Sequence, residues 1–415
     1  MKILIIGSGG REHALCRALS KSPLCDKIYC LPGNAGIAQE YEIPVSIDHS
    51  DFGALADFVR KEGIDFTVIG PEQPLVEGIV DRFQAEGLKI FGPTAQAARI
   101  EGDKSYAKLL MDEAGVPTAD FTIYTDLEQA LQSPLLEKFP VVIKAAGLAA
   151  GKGVIIVNSR DEAESVLVQI MQSRTFGAAG DKVVIEEFLE GQELSCFFLT
   201  DGDCTILLPP SQDHKRIGEG DTGLNTGGMG AYAPAPLGAP ELLEQVRKTI
   251  AIPTLRALEL QGTPYRGVLY CGLMITDSGP KVLEFNCRFG DPETQCVLPL
   301  VEADLLELML ASADPGGIAR WRDKHPDTRI YAPDKYAACV ILASGGYPGS
   351  YDKGYEILGL NNVFGNETII FHAGTKLDRG RVVTSGGRVL GVTGLGGSLK
   401  SALDTAYAAA GKIHF

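Results

Sequence analysis

The amino-acid sequence predicts a multidomain protein of the α/β and α+β classes, with a parallel α/β domain, a central α+β domain and a small β-rich C-terminal domain. The 415 residues are enough for about two to four domains with real cores. The N-terminal quarter alternates short apolar runs with helical patterns, which is typical of a parallel sheet. Beyond it, closely spaced strand patterns alternate with short helices, and the chain ends in short strands, turns and one helix.

The domain boundaries are predicted where these patterns change. We expect the N-terminal domain at 1–103, the central domain at 104–313 with a flexible subdomain at about 120–192 inside it, and the C-terminal domain at 325–415. A helix that should end at Gly115, before Pro117, opens the central domain. A polar stretch at 314–335 precedes the last domain.

The N-terminal strands are predicted at KILII, KIYCL, FTVIG and KIFG, and each but the last leads into a helical segment. The loops that follow the strands are GSGGRE, PGNAG and GPEQPLV, at the sheet edge where parallel folds bind ligands. The first loop does not match the dinucleotide fingerprint G-x-G-x-x-G, because Glu12 stands where the third glycine belongs. An anion site at the helix start, with Arg11 available, fits this loop better.

The central domain is predicted to contain strands at PVVIKAA, GVIIVN and KVVIEEFLEGQELSCFFLTDG, with a helix at DEAESVLVQIM. A polar, glycine-rich stretch at 211–236 is predicted to be one long loop. A loop of this length inside a compact domain is usually functional.

Composition excludes several classes of protein. There are 38 Lys and Arg against 53 Asp and Glu, a net charge of −15, which argues against a basic surface for nucleic acid. Nine separately placed cysteines without metal-ligand spacing indicate reduced thiols in a cytoplasmic protein. The N-terminal apolar run is too short for a signal peptide, and no stretch is long enough to span a membrane.

Residues 144–154, KAAGLAAGKGV, predict a glycine-rich flap that closes over phosphates. The stretch is not a P-loop, because only three residues separate Gly147 from Gly151 and because Gly153, without a hydroxyl, follows Lys152. Lys144 ends a strongly apolar strand, where a lysine needs an anionic partner.

A polar motif at 281–293, KVLEFNCRFGDPE, predicts a metal site on a strand. Alternation places Glu284 and Asn286 on one face, and such hard oxygen ligands suit Mg²⁺ that also binds nucleotide phosphates. Arg288 is expected on the same face, where it would stabilise a transferring phosphoryl group. The alternative is a polar strand edge that faces solvent.

Residues 182–195, KVVIEEFLEGQELS, are interpreted as a strand that leads into a hinge. Its exposed backbone would pair with an adenine edge, and Glu193 would accept hydrogen bonds from ribose hydroxyls. The alternative is a simple acidic β-hairpin.

Together these features resemble the ATP-grasp superfamily, and an ordered series of motifs resembles one family within it, the glycinamide ribonucleotide synthetases, or phosphoribosylamine–glycine ligases. Few of the motifs are specific alone, but their order is very specific. They are GSGGREHAL, PGNAG, GPE-x-PLV, IFGPT, GLAAGKGV, SQDHKR, NTGGMGAY, EFNCRFGDPETQ, GGYPG, HAGTK and GGRVL, and they extend from residue 7 to 391.

The resemblance implies a pre-ATP-grasp N-terminal domain, an ATP-grasp central domain, and the second step of de novo purine synthesis. In that step glycine, ATP and 5-phosphoribosylamine give glycinamide ribonucleotide, ADP and phosphate. The implied cofactors are ATP and Mg²⁺ (or Mn²⁺), and the expected partners are these small molecules, with no nucleic acid or membrane. We expect a monomer or a weak homodimer.

The resemblance also implies roles for individual residues. Arg288 and Lys152 are expected to be catalytic, and Glu284 and Asn286 to bind the metal. Residues expected at ATP are Lys104, Lys144, Gly147, Gly151, Lys152, Gly153, Glu186, Glu187, Phe188, Leu189 and Glu193. Residues expected at the other substrates are Gly9, Arg11, Asn34, Glu72, Asp213, Lys215, Asn225, Gly227, Gly228, Arg288 and Asp291.

Two positions depart from the pattern. The family's flap usually begins K-A-D-G, but here Ala146 replaces the acid, and Gly272 stands where many ATP-grasp enzymes carry another acid. The rival interpretations are a sister ligase or carboxylase and a nucleotide-binding regulator without catalysis. No Ser-His-Asp or Cys-His pattern supplies a nucleophile, and His214 in its polar loop is interpreted as a hydrogen-bonding or solvated histidine.

Overall fold

The computed structural model describes residues 1–44, 47–149, 152–220, 222–362 and 364–415. Its N-terminal part is a parallel sheet of four strands in the order β2-β1-β3-β4, covered by helices. The elements are β1 (Lys2–Gly7), α1 (Gly10–Leu19), β2 (Lys27–Pro32), α2 (Ile37–Glu40), α3 (Phe52–Glu62), β3 (Phe66–Ile69), α4 (Glu72–Val76), α5 (Ile79–Ala85), β4 (Ile90–Phe91) and α6 (Ala95–Gly102). The prediction of a parallel α/β fold is confirmed.

This sheet brings three loops to one edge. Strand β1 lies between β2 and β3, with Ile3 opposite both Ile28 and Phe66. All four residues of β3 are buried, as expected for a sheet covered on both faces. The loops after β1, β2 and β3 therefore emerge side by side.

The next part is a small antiparallel sheet in the order β5-β8-β6-β7. It has a core of its own, which includes Val141, Ile143, Leu167 and Ile185. The elements are α7 (Lys104–Glu113), β5 (Phe121–Tyr124), α8 (Leu127–Leu131), β6 (Val141–Ala145), β7 (Val154–Val157), α9 (Arg160–Leu167) and β8 (Val183–Glu187). Short 3₁₀ turns lie at Pro134–Glu137 and Gly177–Gly180, and a π-helical turn at Val168–Gln172 extends α9.

A second antiparallel sheet has the order β10-β9-β15-β16. The elements are β9 (Gln192–Thr200), β10 (Thr205–Leu207), β11 (Gln212–Asp213), β12 (Arg216–Gly218), β13 (Thr222–Asn225), β14 (Gly230–Ala233), α10 (Pro240–Val246), α11 (Ile252–Leu260), β15 (Gly267–Thr276), β16 (Gly279–Asn286), α12 (Thr294–Val297), α13 (Leu305–Ala313) and α14 (Gly317–Lys324). A π-helical turn at Arg247–Ala251 joins α10 to α11, and a 3₁₀ turn lies at Leu298–Leu300.

Three C-terminal strands join β11 and β14 in a five-stranded antiparallel sheet with the order β11-β14-β17-β21-β18, and β19 and β20 pair separately with each other. The elements are β17 (Tyr336–Ala343), β18 (Thr368–His372), β19 (Thr375–Asp378), β20 (Arg381–Thr384), β21 (Arg388–Gly396) and α15 (Leu399–Ala410). Helix α15 packs closely on β21, because a Cβ added to Gly394 would lie 2.2 Å from the carbonyl oxygen of Ala402.

The prediction of one long loop over 211–236 is wrong, because four short strands occupy much of that stretch. Two of them pair with each other, and β14 pairs with β17, with Ala231 opposite Cys339. A partner more than a hundred residues away leaves no local pattern, so the sequence showed only polar residues and glycines. Within the described residues, no helix is long and apolar enough to cross a membrane.

Candidate active site

A group of charged side chains, here called the lysine cluster, lies between the small sheet and strand β16; it consists of Lys104, Lys108, Lys144, Glu186 and Glu284. Lys144 and Glu186 come from the neighbouring strands β6 and β8, and their Nζ and Oε2 atoms are 2.9 Å apart. The Lys144 ammonium also donates to the Leu283 carbonyl in β16, at 2.9 Å. The predicted anionic partner of Lys144 is therefore Glu186.

Sequence reasoning missed Lys108. Its Nζ lies 3.0 Å from the same Oε2 atom of Glu186 and donates to the Thr118 hydroxyl at 2.7 Å. Thr118 in turn donates to the Val282 carbonyl of β16, at 2.7 Å. The available signal was a lysine on the apolar face of α7, beside the buried Ala107 and three residues before the buried Met111.

Burial lowers the pKa of two lysines in this cluster. It lowers the pKa of Lys108 to about 8, although the nearby Glu186 carboxylate opposes the shift. Burial likewise lowers the pKa of Lys104, with Glu284 opposing. Both oxygens of Glu186 are inside the protein, yet within the described residues its Oε1 atom has no hydrogen-bond partner. One acceptor atom is thus left unpaired among three lysines.

Glu284 and Asn286 lie on β16, and Glu284 is opposite Gly272 of β15. Although burial opposes it, the charges of Lys215, Lys104 and Lys144 hold the pKa of the Glu284 carboxyl below its usual range. Across the described ranges, neither the Glu284 carboxylate nor the Asn286 amide has a direct hydrogen bond or ion pair. Because Gly272 has no side chain, the departure noted in the sequence leaves one carboxylate here rather than two.

The base of the glycine-rich segment is tightly packed. The Gly147 N–H donates to the Ala179 carbonyl at 3.1 Å, and a Cβ added to Gly147 would lie 2.8 Å from the Cα atom of Ala179. The Gly147 carbonyl accepts from Lys104 Nζ at 3.1 Å. Farther along, Gly153 accepts from the Ala145 N–H, and Lys152 is exposed. Gly151 lies outside the described residues.

The backbone of Ala146 joins two elements of the site. Its N–H donates to the Lys182 carbonyl at 3.1 Å, and its carbonyl accepts from the Lys104 N–H at 2.7 Å. Its methyl group is buried. The methyl group therefore faces protein, and the backbone, not the side chain, carries the contacts at this departure from the family pattern.

The predicted hinge residues Glu187 and Glu193 each make an ion pair. Glu187 pairs with Lys281 at 2.9 Å, and Glu193 pairs with Lys215 at 2.6 Å. Phe188 is half-buried and Leu189 is buried between them. The acidic hairpin alternative does not describe this segment, because β8 and β9 belong to different sheets.

Asp213, the last residue of β11, lies near Lys215, which immediately precedes β12. Burial raises the pKa of Asp213 to about 7; Lys215, whose Nζ is 4.0 Å from Asp213 Oδ2, opposes this shift and Glu293 adds to it. His214, between them, pairs through its backbone with Met229 and Gly230. Its ring is tilted against that of Tyr232, with the ring centroids 5.7 Å apart. Within the described residues, the His214 ring makes no hydrogen bond to a serine, threonine or cysteine that it could activate as a nucleophile.

A second group, here called the arginine cluster, consists of Arg11, Glu72, Glu101, Arg288 and Asp291. The Arg288 guanidinium contacts Glu101 at 2.9 Å and Glu72 at 3.3 Å. These two carboxylates raise the pKa of Arg288, although burial opposes them. Glu101 was not predicted. It follows a helical pattern at the domain boundary, and nothing local distinguished it from a surface acid.

The loop after β1 belongs to the same cluster. Arg11 pairs with Glu12 at 2.6 Å, and both Arg11 and Arg288 donate to the Phe289 carbonyl. Glu12 accepts from the Gly9 N–H at 2.5 Å, and a Cβ added to Gly7 would lie 2.5 Å from the Glu12 side chain. Glu12 thus fills the space that a dinucleotide fingerprint leaves open.

Two of the predicted substrate residues lie apart from the charged clusters. The Asn34 amide donates to the carbonyls of Ser8 and His372, both at 2.8 Å, and its oxygen accepts two backbone N–H groups. It braces the loop after β2 against β18. Asn225, at the end of β13, is exposed.

Comparison with known proteins gives consistent matches along the chain. The phosphoribosylglycinamide synthetase family matches in three parts: its N domain at residues 1–101, its ATP-grasp (A) domain at 102–294 and its C domain at 337–415. A bifunctional purine biosynthetic protein from Pichia angusta is 49% identical over 100% of this chain. The chain spans about half the length, or less, of such multifunctional relatives.

Two single-function proteins match over nearly their full length. A phosphoribosylamine–glycine ligase from Caldanaerobacter subterraneus is 48% identical, over 100% of this chain and 97% of its own. The crystal structure of a phosphoribosylamine–glycine ligase from Thermotoga maritima has a TM-score of 0.83 and 33% identity, and covers 100% of this chain and 97% of that one.

Proposed function

Because the chain belongs to the phosphoribosylglycinamide synthetase family, we propose that it ligates glycine to 5-phosphoribosylamine at the expense of ATP. The products are glycinamide ribonucleotide, ADP and phosphate, as in the second step of de novo purine synthesis. The observation that carries the proposal is the lysine cluster, in which the Glu284 carboxylate has no direct partner within the described residues although the charges of lysines act on it. The Asn286 amide on the same strand likewise has no direct partner within the described residues.

The residues of β16 fit a divalent metal ion that is shared with a nucleotide. One carboxylate and one amide oxygen are hard ligands, but they are too few to hold an ion alone, and the described residues contain no group of three His, Cys, Asp or Glu side chains suited to a metal. Phosphate oxygens of ATP would complete the set. Mg²⁺ or Mn²⁺ bound there would neutralise charge on the transferring phosphoryl group.

The lysines supply the remaining positive charge. Lys104 and Lys144 bind the ATP phosphates, and Lys152 of the flap reaches the phosphates when the flap closes. Glu186, whose Oε1 has no partner within the described residues, binds the base together with the backbone of 187–189, and Glu193 binds the ribose. Positioning and charge neutralisation of this kind account for phosphoryl transfer without an enzyme nucleophile.

The chemistry runs in two steps. The glycine carboxylate attacks the γ-phosphorus of ATP, which gives glycyl phosphate and releases ADP. The amine of phosphoribosylamine then attacks the acyl carbon, the C–O bond to phosphate breaks, and phosphate leaves as the amine loses a proton. The arginine cluster, with Gly9, Asp213, Lys215 and the 225–228 segment, holds glycine and phosphoribosylamine. Closure of the flap excludes water from the acyl phosphate.

The setting proposed for this reaction is the cytoplasm. Its partners are the three small substrates, and the oligomeric state is a monomer or a weak homodimer. The nine cysteines are free thiols in the structure.

The test is the release of ADP by purified protein with Mg²⁺-ATP, glycine and freshly generated phosphoribosylamine, with each substrate omitted in turn. We expect ADP only when all three are present, in a one-to-one ratio with glycinamide ribonucleotide. ADP formation with another carboxylate in place of glycine would assign a sister ligase instead. ATP binding without any turnover would contradict the proposal and favour a regulator.

A further inference from the structure

Arg388, the first residue of β21, reaches from the C-terminal sheet into the candidate site. Its Nη1 donates to the Asp291 carbonyl at 2.6 Å and to the carbonyls of Gly227 and Gly228, and its Nη2 lies 3.5 Å from Asp291 Oδ2. One guanidinium therefore joins three segments that are far apart in the sequence. The proposed reaction assigns no role to Arg388, nor to any residue of the strands β17 to β21.

The segment that Arg388 holds is shaped for this contact. A Cβ added to Gly227 would lie 3.1 Å from the Arg388 guanidinium carbon. Gly228 has φ +106°, where a side chain is strained, and a Cβ there would lie 2.5 Å from Pro292. The Gly227 N–H donates to the Tyr347 hydroxyl at 3.1 Å, a second contact from the C-terminal domain. Both glycines are needed for close approach.

The same segment fixes Lys215. Thr226 donates to the Lys215 carbonyl through its backbone N–H and through its hydroxyl, both at 2.7 Å. The Gly228 N–H in turn donates to the Thr226 hydroxyl at 3.0 Å. The Lys215 ammonium pairs with Glu193. A shift of the 226–228 backbone would therefore move a lysine that the proposed mechanism places at the substrates.

Asp291 is the other group that Arg388 orients. Its Oδ1 accepts from the Gln295 amide at 2.8 Å, and a Cβ added to Gly9 would lie 3.1 Å from its Oδ2. Although burial opposes them, Arg388 and Arg11 lower the pKa of Asp291, so the carboxylate stays charged beside the loop after β1. An anionic oxygen at this place suits a ligand hydroxyl or ammonium group.

We propose that Arg388 is a positioning residue of the ligase reaction, which holds the Asp291 carboxylate and the 226–228 segment together as one wall of the site for phosphoribosylamine and glycine. The inference rests on the proposed function, and it makes the C-terminal domain part of the catalytic machinery. A lysine cannot replace this arginine, because a single ammonium lacks the planar fork that contacts two carbonyls and a carboxylate at once.

The test compares Arg388→Met and Arg388→Lys with the wild type, with Arg381→Met as the matched control. Arg381 lies on the nearby strand β20 and forms an exposed pair with Glu356. For Arg388→Met we expect the KM of phosphoribosylamine or glycine to rise about 10- to 100-fold. The KM of ATP should change by less than about 2-fold, because the lysine cluster is untouched. In Arg388→Lys the KM of phosphoribosylamine or glycine should also rise, but by a smaller factor, and the KM of ATP should again be nearly unchanged.

Two readouts separate positioning from mere stability. The ratio of ADP to glycinamide ribonucleotide should exceed one in Arg388→Met, because a misplaced amine lets water take the acyl phosphate, and added guanidinium should lower that ratio. Unchanged KM values and an unchanged ratio in Arg388→Lys or Arg388→Met would overturn the inference. An inactive wild type would overturn the proposed function instead.

Discussion

In the lysine cluster, Glu284 has no direct partner within the described residues and Glu186 leaves one oxygen unpaired, whereas in the arginine cluster both guanidinium groups are held by protein. Arg288 contacts two carboxylates and a carbonyl, and Arg11 contacts a carboxylate and the same carbonyl. The lysine cluster comes from residues between α7 and β16, whereas the arginine cluster joins the N-terminal part to the segment after β16. The two groups differ in how far the protein itself satisfies their charges.

The difference indicates which side depends on ligands. An unpaired polar group inside a protein costs free energy, so an arrangement that keeps one is stabilised only when a ligand supplies the partner. We infer that metal and nucleotide complete the lysine cluster, whereas the arginine cluster is formed before its ligands arrive.

The largest effect is expected from Glu284→Gln. The variant keeps the shape of the side chain but loses the carboxylate that no other described group replaces, so kcat should fall by about 10²- to 10³-fold and the Mg²⁺ requirement should rise. Initial rates against Mg²⁺ concentration measure both changes. Glu244→Gln, an exposed pair partner of Arg247, is the control and should behave like wild type. A normal Mg²⁺ dependence in Glu284→Gln would remove the metal site from β16.

The next effect concerns the shared oxygen of Glu186. In Lys108→Met or Lys144→Met the carboxylate keeps one lysine, so each change should lower the free energy of opening of β8 by only about 1–3 kcal/mol. In the double variant the charge is left buried and unpaired, and the loss should exceed the sum of the two. Hydrogen exchange of the β8 amides measures these energies. Additive losses would show that the two lysines do not share one partner.

The pH dependence of the unfolding free energy should reveal the lowered pKa of Lys108. Its pKa falls from 10.5 to about 8 in the folded protein, so between these values the unfolded chain binds more protons. Its contribution to stability is therefore present above pH 10.5, declines as pH falls, and is lost below about pH 8. Unfolding of wild type should become less favourable from pH 8 to 10.5 relative to Lys108→Met. Parallel curves for the two proteins would contradict the assignment.

The smallest effect is expected from Lys152→Met in the flap. Lys152 is exposed, so the change should leave the thermal midpoint within about 1 °C of wild type. It should raise the KM of ATP or lower kcat by about 10-fold, because Lys152 contacts a phosphate of ATP only when the flap is closed, and the variant loses that contact. Lys138→Met, which changes another exposed lysine in the part of the chain that forms the small antiparallel sheet, provides the control. Equal kinetics for the two variants would exclude the flap lysine from the reaction.

The sequence predicts the fold well where periodicity is local. The four parallel strands and the antiparallel strands around Lys144 each carry a continuous apolar pattern, and the structure confirms them. It fails over 211–236, where β12 pairs with β13 and β14 pairs with both β11 and β17, and at the C-terminal sheet, which takes in β11 and β14. Such long-range pairing leaves no pattern within a short window.

The site residues likewise divide into those that a local sequence pattern predicts and those that it does not. Glu284 and Asn286 follow from strand alternation, and Lys144 follows from the cost of a lysine on an apolar strand. Lys108, Glu101 and Arg388 do not, since each acquires its charged partner from a segment that is distant in the sequence. Their surroundings depend on how the sheets are packed, which residue type and spacing do not reveal.

The most direct test of the contrast is hydrogen exchange with and without a non-hydrolysable Mg²⁺-ATP analogue. We expect added protection at 144–149 and 183–189, because nucleotide completes the lysine cluster, and little change at 9–13 and 288–295, where protein already satisfies the charges. The wild type should gain this protection and Glu284→Gln should gain less. Equal protection of both regions, or protection of the arginine cluster alone, would contradict the account.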